Sequence, residues 1–262
     1  MKKIALTSLL AVFAIPAISG GANAAVEEYG HWRVRMDGNP LYRPMEGRAY
    51  SMTSFETTSD WDYFSLAEEV GMGISDTLAF SFKTSGSYDS SDEPRYGTKY
   101  NWDEIQLGLS WRYVDEGPWV ADLYGKGQIL GSTEDGIKPQ AWNWTAGTTF
   151  GFIGWDRWTV AFTAQADYMT NARGDFSLDA WGMKVAMDGL FNFDEHWNII
   201  GGVNYNFNLD EEYYNNNPLN VKLGANYNFD DWSFLGVYVE KDIKNGFNVN
   251  PMAIGARFGI DF

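Results

Sequence analysis

Met252-Ala253-Ile254-Gly255-Ala256-Arg257-Phe258-Gly259-Ile260-Asp261-Phe262 ends the chain with a strict period of two. Met252, Ile254, Ala256, Phe258, Ile260 and Phe262 fall on one face, and Ala253, Gly255, Arg257, Gly259 and Asp261 on the other. Successive side chains of a strand point to opposite sides of its sheet, so this pattern predicts a strand with one apolar face and one small or charged face. The period recurs upstream. Val221, Leu223, Ala225, Tyr227 and Phe229 alternate with Lys222, Gly224, Asn226 and Asn228, and Ile199, Gly201, Val203, Tyr205 and Phe207 with Ile200, Gly202, Asn204 and Asn206. Val160, Phe162, Ala164, Ala166 and Tyr168 oppose Thr159, Ala161, Thr163, Gln165 and Asp167, and Ile105, Leu107, Leu109, Trp111 and Tyr113 oppose Glu104, Gln106, Gly108, Ser110 and Arg112. Less regular segments lie near 61–74, 78–88, 119–130, 141–154, 177–191 and 232–243, giving eleven predicted strands.

Trp119, Trp158, Trp197 and Trp232 each follow a short turn (Asp115-Glu116-Gly117-Pro118, Asp156-Arg157, Asp194-Glu195-His196 and Asp230-Asp231) and each opens an alternating stretch. Their spacings of 39, 39 and 35 residues suit a hairpin of two strands with one short and one longer connection. An indole is apolar on its faces and carries one donor, so a tryptophan at one height on every second strand marks a lipid–water boundary. These four are the expected aromatic girdle. Mean hydropathy of −0.33 agrees, because only alternate residues of a membrane barrel face lipid.

Residues 1–24 read as a cleaved secretory signal peptide: Lys2 and Lys3, an apolar run over 4–18, then Ala22-Asn23-Ala24. No later stretch reaches 18 apolar residues, the length of a spanning helix. With no cysteine, disulfides cannot hold the mature chain, and ladder hydrogen bonds closed on themselves must. Removing the two leader lysines takes the formal charge from −16 to −18, which argues against nucleic acid as a partner.

An alternating last strand that ends on phenylalanine, with Phe258, Ile260 and Phe262 on its apolar face, resembles the C-terminal signature of Gram-negative outer-membrane β-barrels. That resemblance implies a chain exported to the outer membrane, recognised by the barrel-assembly machinery and embedded in outer-membrane lipid and lipopolysaccharide. The whole pattern looks like a porin-type barrel, without pointing to one family. The fold expected is all-β: a closed, antiparallel, up-and-down transmembrane barrel. Parity sets twelve strands, since a single-chain bacterial barrel needs an even number.

Two segments compete for the first strand. Residues 29–37 set Trp32, Val34 and Met36 against His31, Arg33 and Arg35; residues 48–56 alternate less well. If the later one is the strand, the barrel is 48–262, and 25–47, with Pro40, Pro44 and Gly47, is a tail in the periplasm or the lumen. The short turns, with Ser75-Asp76-Thr77, belong on the periplasmic side. Longer connections over 89–99, 131–140, 170–175, 210–218 and 245–250 belong on the other. One residue misfits: Glu68 shares a face with Leu66, Val70 and Met72, so either a bulge re-aims it or the register differs. A propeller is excluded, because each period holds two strands and a blade needs four.

Alternation puts Lys83, Arg112, Lys126, Lys184, Lys222 and Arg257 in the lumen beside Glu69, Glu104, Asp122, Asp167, Asp188 and Glu240. Such charges either line a water-filled bore or pair and help to close it. Recurrent inner glycines (Gly71, Gly108, Gly202, Gly224, Gly236, Gly255 and Gly259) leave space for a bore. Asn204, Asn206, Asn208, Asn226 and Asn228 add a neutral patch: a hydrogen-bonding surface for sugar hydroxyls, or a ladder bonded to itself. Tyr124 and Tyr238 offer stacking surface. The function expected is passive diffusion of small hydrophilic solutes, sugars or ions among them. The alternative is a closed structural or adhesive barrel acting through acidic loops at Asp89, Asp92 and Glu93, at Glu134 and Asp135, and at Asp210, Glu211 and Glu212.

No cofactor and no metal site is expected, the acidic clusters reading as solvated loops. Nor is catalysis. The two histidines, His31 and His196, lie in the N-terminal segment and in a short turn, and no zinc-type cluster, phosphate loop or nucleophile elbow occurs.

Overall fold

The computed structural model describes residue 36 and residues 38–91, 99–132, 138–154, 157–171, 180–209, 217–244 and 251–262. The leader, the segment 29–35, His31 and the acidic clusters at 92–93, 134–135 and 210–212 lie outside these residues. Twelve strands follow one another: β1 (Ala49–Thr58), β2 (Tyr63–Gly73), β3 (Leu78–Asp89), β4 (Tyr100–Glu116), β5 (Trp119–Ser132), β6 (Lys138–Gly154), β7 (Trp158–Asn171), β8 (Ala180–Asn192), β9 (Trp197–Asn208), β10 (Leu219–Asp230), β11 (Ser233–Asp242) and β12 (Ala253–Asp261). Each pairs antiparallel with its chain neighbours, and β1 pairs with β12 from Tyr50↔Asp261 to Thr58↔Ala253. The cylinder therefore has no free edge, the condition under which strands can stand in hydrocarbon.

Alternation sorts the two faces. Leu107, Leu109, Leu123, Phe162, Val185, Met187, Val203, Leu223 and Val237 are exposed on the outer wall, while the residues between them are buried or half-buried. Trp119, Trp158 and Trp197 are the first residues of β5, β7 and β9 and are exposed. Trp232 differs. It stands in the turn before β11, half-buried, with the Arg48 guanidinium 3.7 Å above its ring. A one-residue offset takes it off the outer face, and a cation occupies its π surface instead.

Neither explanation anticipated for Glu68 holds. The β1–β2 and β2–β3 registers run unbroken through it, pairing it with Thr53 and Thr84 on the face of Leu66 and Met72. Its two oxygens accept hydrogen bonds from Ser51 Oγ (2.5 Å) and Thr53 Oγ1 (2.6 Å), so hydroxyls on the neighbouring strand compensate a carboxyl on the outer wall. Asp89, assigned from the sequence to a loop, is the buried last residue of β3 and accepts from Ser91.

The stretch 48–56 supplies most of β1, and of the described residues before it only Glu46 and Gly47 meet the sheet's backbone pairing, both at Gly73. Leu41 lies against β6, Tyr42 bonds β12, Gly38 lies against β10 and β12, and Met45 against β2. Ten residues can reach strands all around a closed cylinder only from within it. The outer wall yields a direct test. Val237→Arg, at the centre of β11 where Val237 is 57% exposed, should cost about 2–4 kcal/mol, read as a lower unfolding midpoint in lipid vesicles. An unchanged midpoint would mean that Val237 does not meet acyl chains.

Candidate functional site

The lumen is polar along most of its length and apolar at one end. At the end that carries residues 49 and 262, Val120, Ile153, Ala161, Leu190, Ile200 and Phe234 are all buried on inner faces. Leu41 enters this patch and forms a buried cluster with Val120, Ile153 and Ala161. Gly151 makes the room, since a Cβ there would stand 2.3 Å from Leu41 Cδ1. Gly73 does the same for the backbone of Met45, and Gly259 for Met36 and Phe234.

Polar contacts fix the segment further. Arg112 Nη2 donates to the Leu41 carbonyl at 2.7 Å while its Nε donates to Asp122 at 2.8 Å. Tyr42 Oη donates to Asp261 Oδ2 at 2.6 Å, and Arg48 Nε to Asp261 Oδ1 at 2.8 Å. Asn39 turns the chain by accepting from the Leu41 amide on its side chain and from the Tyr42 amide on its carbonyl. Arg43 fits less well. It is buried with Nε and Nη1 lacking hydrogen-bond partners, and burial, then the nearby Arg112, push its guanidinium below the usual range against the pull of Asp122, Asp115 and Asp76.

Above this floor lie two adjoining hollows. The lower, about 320 Å³, is bounded by Gly38, Asn39, Pro40 and Tyr42 of the segment and by Asp188, Ile200 and Phe234 of the wall. The upper, about 430 Å³, is lined by Glu56, Glu69, Lys83, Asp103, Glu104 and Tyr238 among others. Met52, Glu69, Lys222 and Arg257 line both.

The structure places the charged residues as follows. Lys83 pairs with Glu104 at 2.6 Å, and Glu104 also accepts from Gln128. Glu69 accepts from Tyr50 Oη at 2.5 Å, and Asp167 from Thr145 and Gln165. Lys222 Nζ stands 4.1 Å above the Tyr238 ring, whose hydroxyl donates to Glu56, and Lys126 Nζ 5.4 Å from Tyr124. Arg257 packs against Gly38 and over Phe234, Lys184 sits opposite Gln165 and Asn206, and Asp188 lies on Gly202. The asparagines divide into two groups. Asn226 donates to Asn198 at 2.7 Å, both fully buried near the floor with Asn228, whereas Asn204 accepts from Asn206 and Asn220 and lies 3.5 Å from Glu240. Asn208 ends β9, its side chain outside the described residues. Among the described residues no group of three or more His, Cys, Asp or Glu is placed to hold a metal.

Glu56, Asp103 and Tyr50 are lumenal features that sequence reasoning missed, and of the two places it left open for the tail before β1, periplasm or lumen, residues 38–47 occupy the lumen. The signal for the segment was present as broken alternation: Trp119-Val120, Phe152-Ile153, Leu190-Phe191, Ile199-Ile200 and Phe234-Leu235 each put an apolar residue on both faces.

A closed twelve-stranded barrel with an apolar outer wall and a charged hollow is the outer-membrane type of β-barrel. Solved structures share it. An outer-membrane channel of Pseudomonas putida F1 matches with a TM-score of 0.63 at 12% identity, over 84% of this chain and 97% of that one. The NanC porin matches with a TM-score of 0.58 at 8% identity over 82% and 98%. The KdgM porin follows at 0.54 and 9% over 81% and 99%. At these identities the likeness is one of fold. No protein-family model and no curated protein matches the sequence.

Leu41→Ala should remove about 2–5 kcal/mol from the seat of the segment. Hydrogen exchange by mass spectrometry over 38–47 should then run at least tenfold faster than in the wild type, with the strands unchanged. Equal exchange would mean that Leu41 does not anchor it.

Proposed function

We propose that this chain is a channel of a Gram-negative outer membrane through which small hydrophilic solutes diffuse. The observation that carries the reading is the pair of adjoining hollows, charged on their walls, inside a cylinder whose outside is apolar. Side chains that hold a bore open need partners of their own, and the ion pair Lys83–Glu104 and the bonds to Glu69, Glu56 and Asp167 supply them. The likeness to solved porins and to an outer-membrane channel supports the same reading. It implies lipid and lipopolysaccharide around the tryptophans Trp119, Trp158 and Trp197, and the barrel-assembly machinery acting on β12 with Phe258, Ile260 and Phe262.

Within hydrophilic solutes, saccharides are the narrower proposal. The amides of Asn206 and Asn220 both donate to Asn204 Oδ1, at 3.4 and 3.3 Å, long enough to exchange for sugar hydroxyls. The KdgM porin has been solved in complex with disordered oligogalacturonate. A closed surface barrel has less support, because it gives the charged hollow no role.

In planar bilayers the protein should give discrete conductance steps. With Lys83 and Glu104 paired, the upper hollow keeps Glu56, Glu69 and Asp103 against Lys222 and Arg257, so reversal potentials in a KCl gradient should have the sign of a weak cation preference. The channel reading fails if membranes stay silent both for the wild type and for a barrel lacking residues 38–47. The saccharide proposal fails if sugar entry into liposomes follows solute size alone and is unchanged with Asn204, Asn206 and Asn220 replaced by alanine.

A further inference from the structure

Resting on the channel reading, we propose that residues 38–47 are its gate: a hinged plug that blocks the lower lumen when seated and opens the bore when it swings out. The segment is separable from the wall. β1 pairs directly with β12, and residues 38–47 meet the sheet's hydrogen-bonding pattern only through the isolated bridge Glu46↔Gly73 and the bond from Gly47 N to Gly73 O. Its release breaks no strand pairing.

The end that joins β1 carries the hinge. Gly47 has a φ of 74°, in the left-handed region that glycine adopts at little steric cost. Nothing lies within 4 Å of the place a Cβ would take on Gly47, so the chain has room to turn there. The seat itself is made of side-chain and local contacts: Leu41 in its socket with a hydrogen bond to its carbonyl, the Tyr42–Asp261 bond, the Tyr42 ring edge-on to Tyr50, and Met45 and Glu46 against Gly73. Arg43 works against them, since a buried guanidinium with two unbonded nitrogens beside Arg112 opposes the seated state. Position completes the argument. Gly38, Asn39, Pro40 and Tyr42 form the floor of the lower hollow, which shares its upper lining with the larger one, so the segment stands between the hollows and the barrel mouth at residues 49 and 262.

Single-channel recording would compare the full-length protein with two variants: deletion of 38–47, and Leu41→Cys with Gly151→Cys. A Cβ on Gly151 would lie 2.9 Å from Leu41 Cγ, and the chain has no other cysteine. Deletion should raise unit conductance at least threefold or turn a silent wild type into a conducting one. The cysteine pair should conduct at the low level when oxidised and rise at least threefold when reductant is added to the same membrane. Heat-modifiable gel migration reports whether the deletion variant is folded, and the cysteine pair tests the gate with no residue removed. Equal conductance in wild type and folded deletion, or a cysteine pair indifferent to reductant, overturns the gate and leaves the channel standing. Silence from every form overturns both.

Discussion

In hydrocarbon each unpaired backbone N–H or C=O costs several kcal/mol, and no water is present to relieve it. The pairing of β1 with β12 meets that demand by turning the last two edges of the sheet into one more ladder. Once the ring is shut, alternation has a single meaning: one set of side chains meets lipid and the other meets the hollow. Polar groups on the outer wall must then find partners along it. Glu68 does so through Ser51 and Thr53 on the adjacent strand, which carry the two donors its oxygens require.

The hollow obeys a different rule. Most of its wall carries charges bonded to neighbours across strands, as Arg112 is to Asp122 and Lys83 to Glu104. Networks satisfied in this way hold side chains against the wall. The apolar patch of Val120, Ile153, Leu190, Ile200 and Phe234 at one end would be poorly hydrated if left bare. Residues 38–47 cover it, with Leu41 filling the gap that Gly151 leaves. A wall built for water and a floor built for contact thus occupy one cylinder.

The faces of the strands were legible because a side chain's direction in a strand depends only on its position modulo two, and parity then asked for a twelfth strand. Boundaries were less legible where alternation is broken. Leu190-Phe191 lies in a segment that alternates poorly and Ile199-Ile200 opens one that alternates well, yet in each pair one apolar residue, Leu190 and Ile200, is buried on the inner face at the floor. Trp232 shared the spacing of Trp119, Trp158 and Trp197, but the β10–β11 turn is tight enough to leave it outside the strand, where Arg48 reaches its ring. The asparagines looked like one patch because Asn204 and Asn226 lie on neighbouring strands. Their register sets Asn226 beside Asn198 and Asn204 beside Asn220, at different depths.

Local periodicity, the turn residues and the acidic, cysteine-free composition determined by themselves that the chain forms strands with one lipid face and one wet face. Only the closed structure decided that residues 38–47 turn inward, that Arg112 and Asp261 hold them, and that Glu68 stays outside with two hydroxyl partners. The physical reason is range. Alternation is a property of neighbours in the chain, whereas Leu41, Val120, Ile153 and Ala161 become neighbours only when twelve strands are wound into a ring around them.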